Sequence, residues 1–154
     1  EVTIAYEDGV QHVYLNGNDI SSRLRNEEVG NMASVTSAIP EVRKKLLELQ
    51  QNLAKTQDVI MDGRDIGTVV LPDANVKIYL TASSAVRAKR RYEEQKAKGI
   101  DCNLEEIEKD IIERDHRDMT REISPLKQAE DAILLDSSNM TIEEVADAVI
   151  ALCK

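Results

Sequence analysis

The chain reads as an α/β protein with a parallel sheet, flanking helices and a small appended hairpin-and-helix insert. Three features predict this. Short apolar runs alternate with helix-length periodic segments, and two of those runs end in an aspartate. Helix caps recur between them at Ser83/Ser84, Asn103 and Thr141. The first fifth of the chain instead alternates apolar and polar residues around two glycine turns, as a hairpin does.

In order along the chain, Val2, Ile4 and Tyr6 alternate with polar residues up to Asp8-Gly9. Val10 to Leu15 returns, and Asn16-Gly17 with Asn18-Asp19 closes the hairpin. Residues 26–39 read as helical. Pro40 opens a second helix at the position where its missing N–H costs least, and Val42, Leu46, Leu49 and Leu53 recur at the spacing of one buried face. Val59-Ile60-Met61 is a short apolar strand ending in Asp62-Gly63-Arg64-Asp65, and Val76 to Leu80 is a second strand. A basic helix follows from Ala85 to Lys98, ended by Gly99. Asn103, with Glu106 three residues on, starts a helix reaching about Glu122. Ala132 to Leu135 is a third buried strand, and Thr141 with Glu144 caps a closing helix whose apolar positions are Val145, Ala148, Val149 and Leu152. Two parts result: a hairpin with helices over 1–56 and an α/β core over 57–154.

Composition narrows the function. The 154 residues are 42% hydrophobic and 32% charged, enough apolar material for a core. A net charge of −9 argues against a nucleic-acid polymer as partner, and the absence of Trp and Phe removes most base-stacking surface. No apolar run approaches the roughly 18–20 residues of a membrane span. Cys102 and Cys153 form neither a disulfide framework nor a zinc site, so a reducing, cytoplasmic setting is the expectation. The chain starts at Glu1 in mid-pattern and reads as a piece of a longer frame.

Three constellations could carry chemistry. Asp62-Gly63-Arg64-Asp65 lies at a strand's carboxyl end, where α/β sheets bind ligands; its Asp could hold water on Mg²⁺ and its Arg could fork onto a phosphate. It could equally be a plain charged turn. In the helix from Asn103, Leu104, Ile107 and Ile111 continue at the same spacing as Arg114, Asp118 and Arg121, all within about 100° of arc. Charges on an apolar stripe call for an anionic ligand, with Arg117 just outside, unless the helix simply runs past the core into solvent. The basic cluster Arg87, Lys89, Arg90 and Arg91 could reach a triphosphate, although a surface face balancing Glu93 and Glu94 is the simpler reading. His12 and His116 read as surface residues. There is no G-x-G-x-x-G and no G-x-x-x-x-G-K-[ST].

Asp62-Gly-Arg-Asp-Ile-Gly-Thr-Val-Val-Leu-Pro-Asp-Ala-Asn-Val-Lys-Ile-Tyr-Leu resembles the corresponding stretch of bacterial cytidylate (CMP/dCMP) kinases. So do Glu113-Arg-Asp-His-Arg-Asp-Met-Thr-Arg-Glu-Ile-Ser-Pro-Leu and Asn31-Met-Ala-Ser-Val before Pro40-Glu-Val-Arg. The resemblance covers essentially the whole chain. It implies a P-loop nucleoside monophosphate kinase with a CMP-binding insert and a mobile lid, transferring a phosphoryl group from ATP, with Mg²⁺, to CMP or dCMP. By position it implies Ser34, Arg43 and Asp65 on the cytosine, Arg114 and Asp118 on the ribose, and Arg64 and Arg121 on the α-phosphate. It further implies that 1–56 is the CMP-binding insert, with Asp62 at the Walker-B-like strand end near Mg²⁺ and Arg91 in the lid over ATP, a segment at about 87–102. The departure is the phosphate loop, which this sequence lacks along with the first strand and helix of such kinases. The chain alone is therefore expected to be inactive, the intact protein monomeric, and the fragment able to pair exposed edges with another copy. A UMP or AMP kinase and a non-catalytic α/β interaction module are the competing readings.

Overall fold

A computed structural model describes residues 2–24, 27–36 and 39–154, leaving aside the side chains of Glu27, Glu28, Asn31 and Ser34. The chain divides into two compact units, Glu1–Asn52 and Leu53–Lys154.

In the first unit, β1 (Val2–Glu7) and β2 (Val10–Leu15) form an antiparallel hairpin in register Val2↔Leu15 through Glu7↔Val10. Asp8 (φ 52°) and Gly9 (φ 79°) make its two-residue turn, and Asn16 (φ 50°) and Gly17 (φ 80°) make the next. Positive φ at both central residues matches the twist of the flanking strands, which is why Asp-Gly and Asn-Gly serve here. The second turn adds a short third strand, β3 (Asn18–Asp19), paired to Tyr14 and Leu15. Asp19 then organises the sheet edge. Its Oδ2 lies 2.8 Å from His12 Nδ1, while its Oδ1 accepts from the Ser21 N–H and hydroxyl. Those bonds, the Ser21 hydroxyl foremost, hold the Asp19 carboxyl down to about 2. Helix α1 (Glu27–Thr36) corresponds to the segment expected over 26–39, whose residues 26, 37 and 38 lie outside the described residues. Helix α2 (Pro40–Thr56) begins at its proline and carries into the second unit. Its predicted buried stripe is only half covered: Val42 and Leu53 are half-buried, Leu46 and Leu49 exposed.

The second unit holds the parallel pair β4 (Ile78–Thr81) and β5 (Ile133–Asp136), in register Ile78↔Ile133 to Thr81↔Asp136. Two expectations fail here. Val59-Ile60-Met61 is not a strand, and Ile60 is 97% exposed. Three apolar residues become a strand only when a neighbour completes their hydrogen-bond ladder, and among the described residues none does. The expected buried strand at 132–135 does form, but Ile133 and Leu134 stay exposed because a two-stranded sheet has little to cover its faces. Between these lies a single π-helical turn, Ile66–Val70, which the sequence pattern did not foretell; Leu71 N donates to Ile66 O at 2.7 Å.

The helices fall where their caps place them. Ser83 Oγ accepts from Val86 N to start α3 (Ser84–Ala97), and Ile100 N→Gln95 O with Gly99 N→Lys96 O closes it. Asn103 Oδ1 accepts from Glu105 N and Glu106 N to start α4 (Leu104–Thr120). Thr141 and Glu144 exchange both capping-box bonds at α5 (Ile142–Leu152). Ala88 of α3 packs between Ile107 and Ile111 of α4, with Tyr92 and Cys102 at the margin. Burying each isoleucine contributes about 1.5–3 kcal/mol. Among the described residues no helix is long and apolar enough to cross a membrane.

Candidate functional site

The charged continuation of the α4 stripe does not run out into solvent alone. Ile107 and Ile111 anchor the first half of the helix to α3, and the same rotation carries Arg114, Asp118 and Arg121 to one side further on. Asp118, 15% exposed, is the hub. Its Oδ2 accepts from Arg64 Nε at 3.0 Å and lies 3.9 Å from Arg114 Nε; its Oδ1 lies 3.9 Å from Arg121 Nη1.

Arg64 reaches the hub because Asp62-Gly63-Arg64-Asp65 folds tightly over Ile66. A Cβ at position 63 would sit 2.9 Å from Ile66 Cγ1, so any larger residue there would force the Ile66 side chain to shift. Asp65, half-buried, heads the π-helical turn: its carbonyl accepts from Val69 N at 2.9 Å and Val70 N at 3.2 Å. This fixes the neighbouring Arg64 on a hydrogen-bonded frame.

Arg121 caps the end of α4. Its backbone N–H bonds Arg117 O at 3.0 Å, and its Nε donates to Ser124 O at 2.7 Å. Three guanidinium groups meet one carboxylate, so these four side chains together carry a net charge of +2. Such a set can receive an anion carrying several acceptor oxygens. The cluster is an open surface array. A shallow depression on the same helix is lined by Ile112, Glu113, His116 and Arg117.

Ser34 lies on α1 with its side chain outside the described residues, and Arg43 lies on α2, its N–H bonded to Ile39 O at 3.0 Å; both belong to the first unit. Asp62 is exposed at the turn. Among the described residues no group of three or more His, Cys, Asp or Glu could hold a metal. A single carboxylate suits only an ion whose other ligands are water and phosphate oxygens, as Mg²⁺ allows. Arg91 is exposed on α3.

The basic cluster divides in a way its sequence did not reveal. Arg87 forks onto Asp115, Nη1 to Oδ1 at 3.1 Å, while its Nε bonds Ala82 O at 2.9 Å. Arg90 bonds Ser137 O at 2.6 Å and Met140 O at 3.2 Å. These two brace the unit from within. Lys89 faces Glu93 at 3.9 Å on the surface, as the simpler reading held. Nothing in a run of charges marks which member folds inward; the partners lie 28 and 47 residues away.

The family model described as cytidylate kinase matches residues 1–154. The cytidylate kinase of Lactobacillus johnsonii is 56% identical over 139 residues, covering 90% of this chain and 60% of that protein. The cytidylate kinase of Caldicellulosiruptor saccharolyticus is 51% identical over 152 residues, covering 99% and 67% respectively. That of Streptococcus pneumoniae (strain Hungary19A-6) is 52% identical over 145 residues, covering 94% and 65%. The chain thus spans roughly three fifths to two thirds of the length of these relatives. With a stripe of arginine, aspartate and arginine meeting the Asp62–Asp65 turn inside a sequence matched along its entire length, the chain belongs to the cytidylate kinase family.

Proposed function

We propose that this chain carries the acceptor-nucleotide half of a cytidylate kinase, which moves the γ-phosphoryl group of Mg·ATP to CMP or dCMP and yields CDP or dCDP. The observation that carries the reading is the meeting of Arg64, Arg114 and Arg121 at Asp118. Phosphoryl transfer of this kind is positioning plus charge stabilisation, with no covalent protein intermediate. Arg64 and Arg121 hold the acceptor's phosphate, Arg114 helps neutralise charge on the transferred group, and Asp118 with Arg114 faces the ribose. Each charge-assisted contact contributes about 1.5–3 kcal/mol. Losing a critical one costs roughly 10³-fold in rate, about 4 kcal/mol.

Base choice rests on Asp65, with Ser34 and Arg43 from the insert. An ionised Asp65 accepts from the cytosine amino group, whereas uracil offers a carbonyl and sets two acceptors face to face. Asp62 orients water on Mg²⁺, and Arg91 closes over ATP. The substrates are free nucleotides of the cytoplasm.

The test is a titration of the 154-residue chain with CMP, dCMP, UMP and AMP, following the arginine Nε resonances of residues 64, 114 and 121. CMP and dCMP are expected to bind ahead of the others, and Asp65→Asn to narrow the gap between CMP and UMP. Equal affinity for all four, or an unchanged CMP-to-UMP ratio in Asp65→Asn, sinks the assignment. Because the sequence contains no G-x-x-x-x-G-K-[ST] cradle for the β- and γ-phosphates, incubation with Mg·ATP and CMP is expected to give no measurable CDP. Turnover at ordinary kinase rates refutes that part.

A further inference from the structure

We infer that the turn after α4 is a positioning device for the Arg121 guanidinium, with Ser124 as the positioning residue. Ser124 has φ 51°, a left-handed conformation uncommon for serine, and it precedes Pro125, whose ring drives the residue before it toward extended backbone. The conformation does not serve to end the helix. Arg121 is already the cap, and Ser124 lies three positions further on. It instead bends the chain so that two bonds form at once. The Ser124 carbonyl accepts from Arg121 Nε at 2.7 Å, and Leu126 N donates to Asp118 O at 2.8 Å. The turn is thereby tied to both the hub and one of its arginines.

The consequence lies in the guanidinium's geometry. Its five N–H groups sit in one rigid plane, so bonding Nε fixes the direction of the rest. With Nε held by a carbonyl, Arg121 keeps its Nη groups for Asp118, 3.9 Å away, and for an incoming anion. A strained residue held by its surroundings beside a candidate site is the arrangement expected where pre-organisation matters. This inference rests on the proposed role of Arg121 as a phosphate ligand.

Two substitutions separate the backbone's role from the side chain's. Asn tolerates the left-handed region and Val resists it. Ser124→Asn is expected to keep the Arg121 Nε–H slow in solvent exchange and CMP affinity within about twofold, while Ser124→Val speeds that exchange and weakens CMP about tenfold. In an Arg121→Gln background, Ser124→Val should then cause no further loss of CMP affinity, which a merely structural role would not predict. A persisting loss in that background, or equal behaviour of Asn and Val, overturns the proposal. If Ser124→Val does not fold, the native chain still decides: a scalar coupling between Arg121 Nε and the Ser124 carbonyl carbon supports it, and a fast-exchanging, uncoupled Nε–H overturns it. Should CMP bind none of these chains, the kinase assignment fails while the exchange measurement still judges the turn.

Discussion

Replacing Asp118 with Asn is the most informative single change, because it removes one charge and keeps the shape. In the native chain this carboxylate takes a 3.0 Å bond from Arg64 and stands 3.9 Å from Arg114 and Arg121. A charge-assisted bond contributes about 1.5–3 kcal/mol. Arg64 is 41% exposed and Arg114 52%, so solvent screening moves the Arg64 bond to the bottom of that range and leaves each longer contact a few tenths. The loss is then about 2–3 kcal/mol, a fall in melting temperature of roughly 4–12 °C for a chain of this size. Three guanidinium groups left without their shared carboxylate also repel one another. Inorganic phosphate should therefore raise the melting temperature of Asp118→Asn more than that of the native chain, at ionic strength matched with chloride. At a phosphate concentration 100 times its dissociation constant the gain is about 2.7 kcal/mol. The assay is calorimetric melting with and without phosphate. A loss below about 0.5 kcal/mol, typical of a surface pair, or equal phosphate effects on both proteins, would refute the hub.

Other outcomes follow from the same physics. Ile111→Ala, cutting a buried contact with Ala88, should cost about 2–4 kcal/mol in denaturant unfolding, and Ile112→Ala, on an exposed position, under about 1 kcal/mol. Arg87→Gln breaks the fork onto Asp115 and should lower stability by about 1–2 kcal/mol; Asp115→Asn added to it should cost little more, as a double-mutant cycle would reveal. Asp19 is held down to about 2 in the folded hairpin against 3.8 for a free carboxyl, so its contribution to stability is fully present above 3.8 and lost as pH falls toward 2. Carboxyl-carbon NMR should show the Asp19 titration moving upward in Ser21→Ala, since the Ser21 hydroxyl is the leading cause of the shift.

How much of this was legible depends on how far each feature reaches along the chain. The turns at Asp8-Gly9 and Asn16-Gly17, and the caps at Ser83, Asn103 and Thr141, are decided within four residues, so their residue types announce them. Val59-Ile60-Met61 has strand composition, yet a strand needs a partner at a distance and apolarity alone does not supply one. The half-covered faces of α2 and of the β4–β5 sheet differ from expectation for the same reason: a periodic stripe states that a face can be buried, not what buries it.

The arginine cluster shows both limits together. Arg114, Asp118 and Arg121 were readable as a set because helical spacing places them on the stripe of Ile107 and Ile111. Arg64 joins them across 54 residues, and only its place in the Asp62–Asp65 turn and the family resemblance pointed to it. Asp115 is one acidic residue among many in the sequence, yet it sits where the α4 stripe changes from apolar to charged. Arg87 ties it there to the Ala82 carbonyl, one residue beyond β4. That tie and the small Ala88–Ile107–Ile111 core together fix the position of α4 against the end of the sheet strand. The hub on α4 therefore inherits its position from contacts that touch no ligand. Substitutions at Arg87 or Ile111 should displace Arg114 and Asp118 together, whereas a change at Arg64 removes one donor and leaves the other two in place.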